Sequence, residues 1–197
     1  MRRWPGARAA SPAGGGDAMA RHVAFLRAIN VGGHVVKMDV LKRLFAKMGL
    51  TSVETFIASG NVVFESRAAK AAALERTIEA ALGKALGYEV ATFVRSLDEL
   101  AAVAGREPFP RSRIDEATAF IVGFLQAPLE PAAITRLMAL RTDIDDFHVD
   151  PREIYWLCRH KQSESTFSNA VFEKAIGVKT TFRNTTTVRK LAAKYAP

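Results

Sequence analysis

With 197 residues, 49% of them hydrophobic, the chain can bury a sizeable core, and intrinsic disorder is not its default. Its one cysteine, Cys158, excludes an internal disulfide and every multi-cysteine metal pattern, and favours a reducing compartment. The formal net charge of +8 favours an anionic partner, nucleic acid included. The apolar runs fall far short of the roughly 20 residues that span a bilayer, so the expectation is a soluble, cytoplasmic, basic protein.

Residues 1–18, MRRWPGARAASPAGGGDA, hold prolines, a triple glycine and no apolar periodicity. They read as a disordered leader, or as a start placed too early with Met19 the true first residue. From His22 to Ile29, apolar residues interrupted only by Arg27 read as a first strand, which runs into the loop Asn30-Val31-Gly32-Gly33-His34. A helix follows from about Asp39, a candidate N-cap, with Val40, Leu41, Leu44, Phe45 and Met48 on one stripe and Gly49 as its stop. Val53 to Ala58 and Val62 to Ser66 are rich in β-branched and aromatic residues. They read as a hairpin around Ser59-Gly60-Asn61, with Gly60-Asn61 as a two-residue turn and Ser59 paired with Val62. Neither face of that hairpin is polar enough to meet water, so it belongs in a sheet covered on both sides. A second helix over residues 68–86 ends at Gly87, a strand follows from Tyr88 to Arg95, and Ser96 to Glu99 has the capping-box spacing of a further short helix.

The order β-α-β-β-α-β is that of a split βαβ, or ferredoxin-like, unit, and it then recurs. After a connection containing Pro108 and Pro110, residues 118–125 read as a strand and 131–140 as a helix. Strands at 147–149 and 154–158 pair around Asp150-Pro151-Arg152. Ser168 caps a helix closed by Gly177, Val178 to Phe182 is a last strand, and Asn184 caps a last helix. The fold class expected is α+β, with tandem ferredoxin-like halves, each followed by an extra helix. The halves are placed at 19–105 and 118–197, with 106–117 as a linker. The duplication is inferred from element order, since the two halves share few letters.

The pattern F-L-R-A-I-N-V-G-G (Phe25 to Gly33), then a helix, then S-G-N-V-V-F (Ser59 to Phe64), resembles an uncharacterised bacterial family, domain of unknown function 1697. The similarity continues through S-N-A-V-F-E-K (Ser168 to Lys174) and T-x-R-N (Thr181 to Asn184), and covers nearly all of residues 19–196. That family usually continues T-x-R-N with Trp-Asn-Thr, where this chain has Thr185-Thr186-Thr187. The resemblance implies a two-part α+β fold, adds Arg183 and Asn184 to the candidate site, and brings no activity.

The candidate chemistry is sparse. Asn-Val-Gly-Gly-His lies at a strand-to-helix junction, where backbone N–H groups can cradle a phosphate or simply form a turn; it is neither GxGxxG nor a Walker loop. The four histidines have no metal-ligand spacing, and no cofactor pattern is present. Asp143, Asp145 and Asp146 lack the glycine and glutamate of a calcium loop and read as a solvated strand entry. Cys158, in an apolar run, reads as an inert buried thiol.

Topology supplies the sharper expectation. In a split βαβ unit the end of strand one and the turn between strands two and three share one sheet edge, so the 30–34 loop should meet the 59–61 turn. That edge collects Arg27, Asn30, Gly32, Gly33, His34, Ser59, Gly60 and Asn61. Three readings stay open: a binding protein for a phosphate-bearing ligand, nucleotide or nucleic acid; a small-molecule enzyme with His34 as acid or base; and a structural or interaction domain whose edge is a hydrogen-bonded corner.

Overall fold

The computed structural model describes residues 19–30, 35–57, 60–67 and 70–196. The proposed leader, Val31, Gly32, Gly33, His34 and Ser59 therefore lie outside the described residues. The first half runs β1 (Ala20–Leu26), α1 (Met38–Lys47), β2 (Thr51–Phe56), β3 (Asn61–Ser66), α2 (Ala71–Leu86) and β4 (Thr92–Ser96), followed by α3 (Leu97–Gly105). After α4 (Arg111–Glu116) the second half runs β5 (Ala119–Phe124), α5 (Pro131–Met138), β6 (Asp145–Val149), β7 (Glu153–Cys158), α6 (Asn169–Ile176) and β8 (Thr181–Asn184), followed by α7 (Thr185–Tyr195). Each half is a four-stranded antiparallel sheet, ordered β2-β3-β1-β4 and β6-β7-β5-β8. This is the expected pair of ferredoxin-like halves, each with its appended helix.

Because strand side chains alternate between faces, each central strand supplies two cores. In β1, Ala24 and Leu26 turn outward to meet Leu41 and Phe45 of α1 and Leu74, Ile78 and Leu82 of α2. Val23 and Phe25 turn inward and meet Val122 and Phe124 of β5, so the two sheets stack. Phe25 and Phe124 lie ring on ring at 4.0 Å with an 11° tilt, a pair worth about 0.5–1.5 kcal/mol beyond its burial. The appended helices α3 and α7 fill the same inter-sheet layer through Leu97, Leu100, Val188 and Leu191. On the far side α5 and α6 cover the second sheet with Leu137, Phe172 and Ile176.

Several local expectations are corrected. The β2-β3 register pairs Phe56 with Asn61, not Ser59 with Val62, so residues 57–60 form the connection and Asn61 is a fully buried member of β3. The longer loop holds Ile57 at φ 50° and Gly60 at φ 73°, and it leaves Ile57 56% exposed instead of packed. A β-branched residue in that region is strained, a cost the turn geometry imposes. Helix α1 starts one residue before Asp39, with Lys37 as an N-cap that makes no side-chain bond; Asp39 instead sits in the first turn, where its charge suits the helix dipole. The stretch read as a plain connection contains α4, which starts right after Pro110. Asp145 is buried, not solvated: it accepts hydrogen bonds from Trp156 Nε1, Ser165 Oγ and Thr142 Oγ1. Asp146 pairs with Arg113 and Arg141. Ser96, Ser168 and Asn184 are caps as expected, Ser96 in a full capping box with Glu99. Cys158 is fully buried, and burial pushes its thiol above the ordinary range.

Two outcomes follow from this packing. Residues 19–105 expressed alone would expose Val23, Phe25, Val63 and Phe93 to water, so the fragment should be insoluble or lack a cooperative melt; a soluble monomer with a sharp thermal transition would contradict the stacked arrangement. Gly123 sits on β5 opposite Phe182, and a Cβ there would lie 2.5 Å from Phe182 Cε1. Gly123→Ala should cost about 1–3 kcal/mol in urea denaturation, because the ring must leave its place against the strand.

Candidate functional site

The expected meeting of loop and turn begins with backbone geometry. β1 stops pairing with β3 at Phe25, and the next residue, Leu26, donates its N–H to Gly60 O at 2.8 Å. That bond pins the end of β1 to the residue just before β3. Gly60 fits because its φ is positive and a Cβ would sit 2.9 Å from Ile29 Cγ2. On the β1 side, Ala28 also has a positive φ, of 58°, and Asn30 folds back to accept the N–H of Val36 through Oδ1 at 2.7 Å.

The second half completes this corner. Arg183 of β8 reaches across the inter-sheet layer, donating from Nε to Asn61 Oδ1 at 2.8 Å and from Nη2 to Leu26 O at 2.9 Å. Its Nη1 donates to Thr181 Oγ1 and Phe182 O, and the guanidinium lies over the Phe25 ring. Burial holds the Arg183 pKa down to about 10, still protonated at neutral pH. Asn61 Nδ2 donates to Phe56 O, which fixes its amide with Oδ1 toward Arg183. Arg27 is paired across the same seam: Nη2 bonds Glu173 Oε2 of α6 at 2.6 Å. Glu173 Oε1 in turn accepts from Asn169 Nδ2 and from the N–H of Thr180. Arg27 is thus engaged by a carboxylate of the other half, while its Nε and the Oδ1 of Asn169 are buried with no hydrogen-bond partner.

Of the residues expected at the edge, Arg27, Asn30, Gly60, Asn61 and Arg183 line this corner. Asn184 comes next in the chain but is exposed and serves as the N-cap of α7 through Thr186 N–H. Gly32, Gly33, His34 and Ser59 are outside the described residues. Glu173, Asn169 and Thr180 were not foreseen as part of the site, although Asn169 and Glu173 lie within the S-N-A-V-F-E-K motif. Among the described residues, no group of three or more His, Cys, Asp or Glu is placed to hold a metal ion, and no helix is long and apolar enough to cross a membrane.

The duplication produces the same corner a second time at the other end of the stack. Arg95 and Arg183 each stand one residue before the N-cap of an appended helix, opposite Val23 and Val122 in register. Arg95 Nη2 donates to Leu125 O at 2.8 Å, as Arg183 does to Leu26 O. Arg95 Nε donates at 2.7 Å to Glu153, which pairs with Phe124 as Asn61 pairs with Phe25. Leu125 N–H bonds Arg152 O, matching Leu26 and Gly60. Gln126 Nε2 bonds Glu79, which also takes Thr92 N–H, matching Arg27, Glu173 and Thr180. Such reciprocity is what a two-fold relation imposes. Besides the element order, the relation shows in the sequence as Phe25-Leu26-Arg27-Ala28 against Phe124-Leu125-Gln126-Ala127, and as an arginine placed directly before the caps Ser96 and Asn184.

The two corners differ in charge. Around Arg95, itself 1% exposed, Glu153 supplies a carboxylate, and Arg152 reaches over to Glu75 and Glu99 at 3.3 and 3.2 Å. Desolvation lowers the Arg95 pKa and Glu153 raises it again; desolvation pushes the buried Glu75 carboxyl up. Around Arg183 the positions of Glu153 and Arg152 are taken by the amide of Asn61 and by Gly60.

The molecule is similar to a solved structure, that of the conserved bacterial protein SP0830 from Streptococcus pneumoniae, at a TM-score of 0.72 and 24% identity. The match covers 90% of this chain and 98% of that one, and at that identity it speaks for the fold. No curated protein matches the chain. The profile of the family described as protein of unknown function (DUF1697) matches residues 19–155, which take in the edge loop, the hairpin and the Arg95 corner. The chain therefore belongs to the DUF1697 family of proteins of unknown function.

Proposed function

We propose that the protein binds a phosphate-bearing ligand, a nucleotide or a nucleic-acid strand, at the corner where the end of β1, the 57–60 turn, β8 and α6 meet. The observation that carries this reading is the convergence of two guanidiniums, Arg27 and Arg183, on one corner built by both halves. Guanidinium groups are the side chains best matched to phosphate oxygens. The buried Arg27 Nε and Asn169 Oδ1 without partners add a donor and an acceptor at the same seam, and such atoms ask for an explanation in a folded protein. Ile57, exposed on the strand side of the same turn, adds an apolar surface next to Asn61 that suits an organic phosphate better than a bare ion. The net charge of +8 would draw such a ligand in. The cytoplasmic setting expected from the single cysteine is where nucleotides abound.

A second reading has its own support. The bonds of Arg27 to Glu173 and of Arg183 to Leu26 O join the halves, which is what a purely structural clasp would do. The two readings separate on Arg27→Gln. This variant copies Gln126 of the other corner, keeps a donor for Glu173 and removes the cation. Under the binding reading, affinity for nucleoside phosphates or a short single-stranded RNA, measured by calorimetric titration, falls at least tenfold in Arg27→Gln, while stability drops by about 1 kcal/mol or less. Wild-type binding should also weaken as salt is added, more steeply for the RNA than for a mononucleotide. Loss of stability with no nucleotide or RNA bound by the wild type would leave the clasp alone.

A further inference from the structure

We infer that position 61 decides what the Arg183 corner is for: the protein carries one corner closed by its own carboxylate and one that takes an anionic group from outside. The inference rests on the phosphate-binding reading of the same corner and says where the anionic group sits. At the Arg95 corner the place against the guanidinium Nε is held by the Glu153 carboxylate at 2.7 Å, with the Arg152 side chain laid beside it toward Glu75. At the Arg183 corner the register-equivalent residues are Asn61 and Gly60. The same backbone thus supplies negative charge at one end of the stack and an amide at the other, and a residue with no side chain stands where Arg152 stands.

The closed corner serves as an internal template. An oxygen of a bound phosphate takes, at Arg183 Nε, the position that the Glu153 carboxylate takes at Arg95. The Asn61 amide gives way, as a neutral acceptor does before a charged one. Arg27, where the closed corner has Gln126, adds the second cation: its Nη2 is held by Glu173, and its buried Nε, which has no protein partner, is the donor left for the ligand. The chemistry recognised is a tetrahedral or carboxylate oxyanion, and phosphate is favoured because two guanidiniums serve one group.

The test compares wild type, Asn61→Glu and Asn61→Gln by thermal melting, with inorganic phosphate titrated against chloride at matched ionic strength. The two variants share one side-chain length and differ in charge and in the amide donor that serves Phe56 O, a donor whose loss works against Asn61→Glu and so makes a higher melting temperature for it the stricter test. In chloride at neutral pH, Asn61→Glu should melt several degrees above Asn61→Gln. A carboxylate paired with Arg183 has a folded-state pKa below its unfolded value. Its contribution is therefore complete above the unfolded pKa and fades as pH falls through the carboxylate range, where the two melting curves should converge. Phosphate should raise the melting temperature of wild type and of Asn61→Gln, and leave Asn61→Glu unmoved. The inference is overturned if Asn61→Glu keeps the wild-type phosphate response, if it melts at or below Asn61→Gln at neutral pH, or if phosphate moves none of the three. Should Asn61→Glu not fold, Asn61→Asp, which keeps the native side-chain length, takes its place under the same criteria. Nucleotide binding that survives in Asn61→Glu would sink this inference and leave the proposed function standing. A phosphate response lost only in Asn61→Glu, with no nucleotide or RNA bound by the wild type, would do the reverse.

Discussion

A guanidinium buried in protein must find oxygen for its N–H groups, and this molecule carries two such groups between stacked sheets, one near each end of the contact. Arg95 and Arg183 each donate to a leucine carbonyl at the end of the first strand of the opposite half and to a side chain on that half's third strand. Hydrophobic stacking of Phe25 on Phe124 brings the sheets together without fixing how they are offset. The directional bonds of the two arginines fix it, since sliding the sheets would strand several buried donors at once.

The site inherits its position from this clasp. Once Arg183 is held against Leu26 O, β8 and α6 are brought to the one edge of the first half where β1 ends and the hairpin turns. Arg27 then faces Glu173, and the described residues of the four family-like motifs come together, Leu26, Arg27 and Asn61 from the first half with Asn169, Glu173 and Arg183 from the second. None of the four motifs carries recognisable chemistry alone. Their convergence comes from the two-fold arrangement of the halves, and it is the strongest structural reason to look for function at this corner and not elsewhere on the surface.

Duplication also explains why one corner can change while the other holds the fold. The Arg95 corner is densely ionic, with Glu75 and Glu99 gathered on Arg152 and Glu153 on Arg95, and Glu75 and Glu79 occupy backbone N–H groups along β4. Those carboxylates cap an edge strand that would otherwise offer its N–H groups to another chain. With stability anchored there, the equivalent corner can exchange a carboxylate for an amide at Asn61 and a long side chain for none at Gly60.

Local sequence was enough for the element order, the doubled ferredoxin-like fold, the caps at Ser96, Ser168 and Asn184, and the burial of β3, but not for β2, which lies at the sheet edge with no fully buried residue. Each feature it determined is written in local periodicity, capping spacing or turn residues, which act over a few positions. It also placed the end of β1 beside the hairpin turn, because strand order in a split βαβ unit forces that contact. The register of β2 on β3 was misread by the same means, since the 57–60 loop holds Ile57 in a conformation its side chain disfavours and only the packed sheet enforces it. What tertiary structure alone decided is the partnership across the seam: Arg27 with Glu173, Arg183 with Asn61, and Arg95 with Glu153. The partners in those pairs are 58 to 146 residues apart, and a long charged side chain is compatible with solvent or with any acceptor until the sheets stack and remove the water that would otherwise satisfy it.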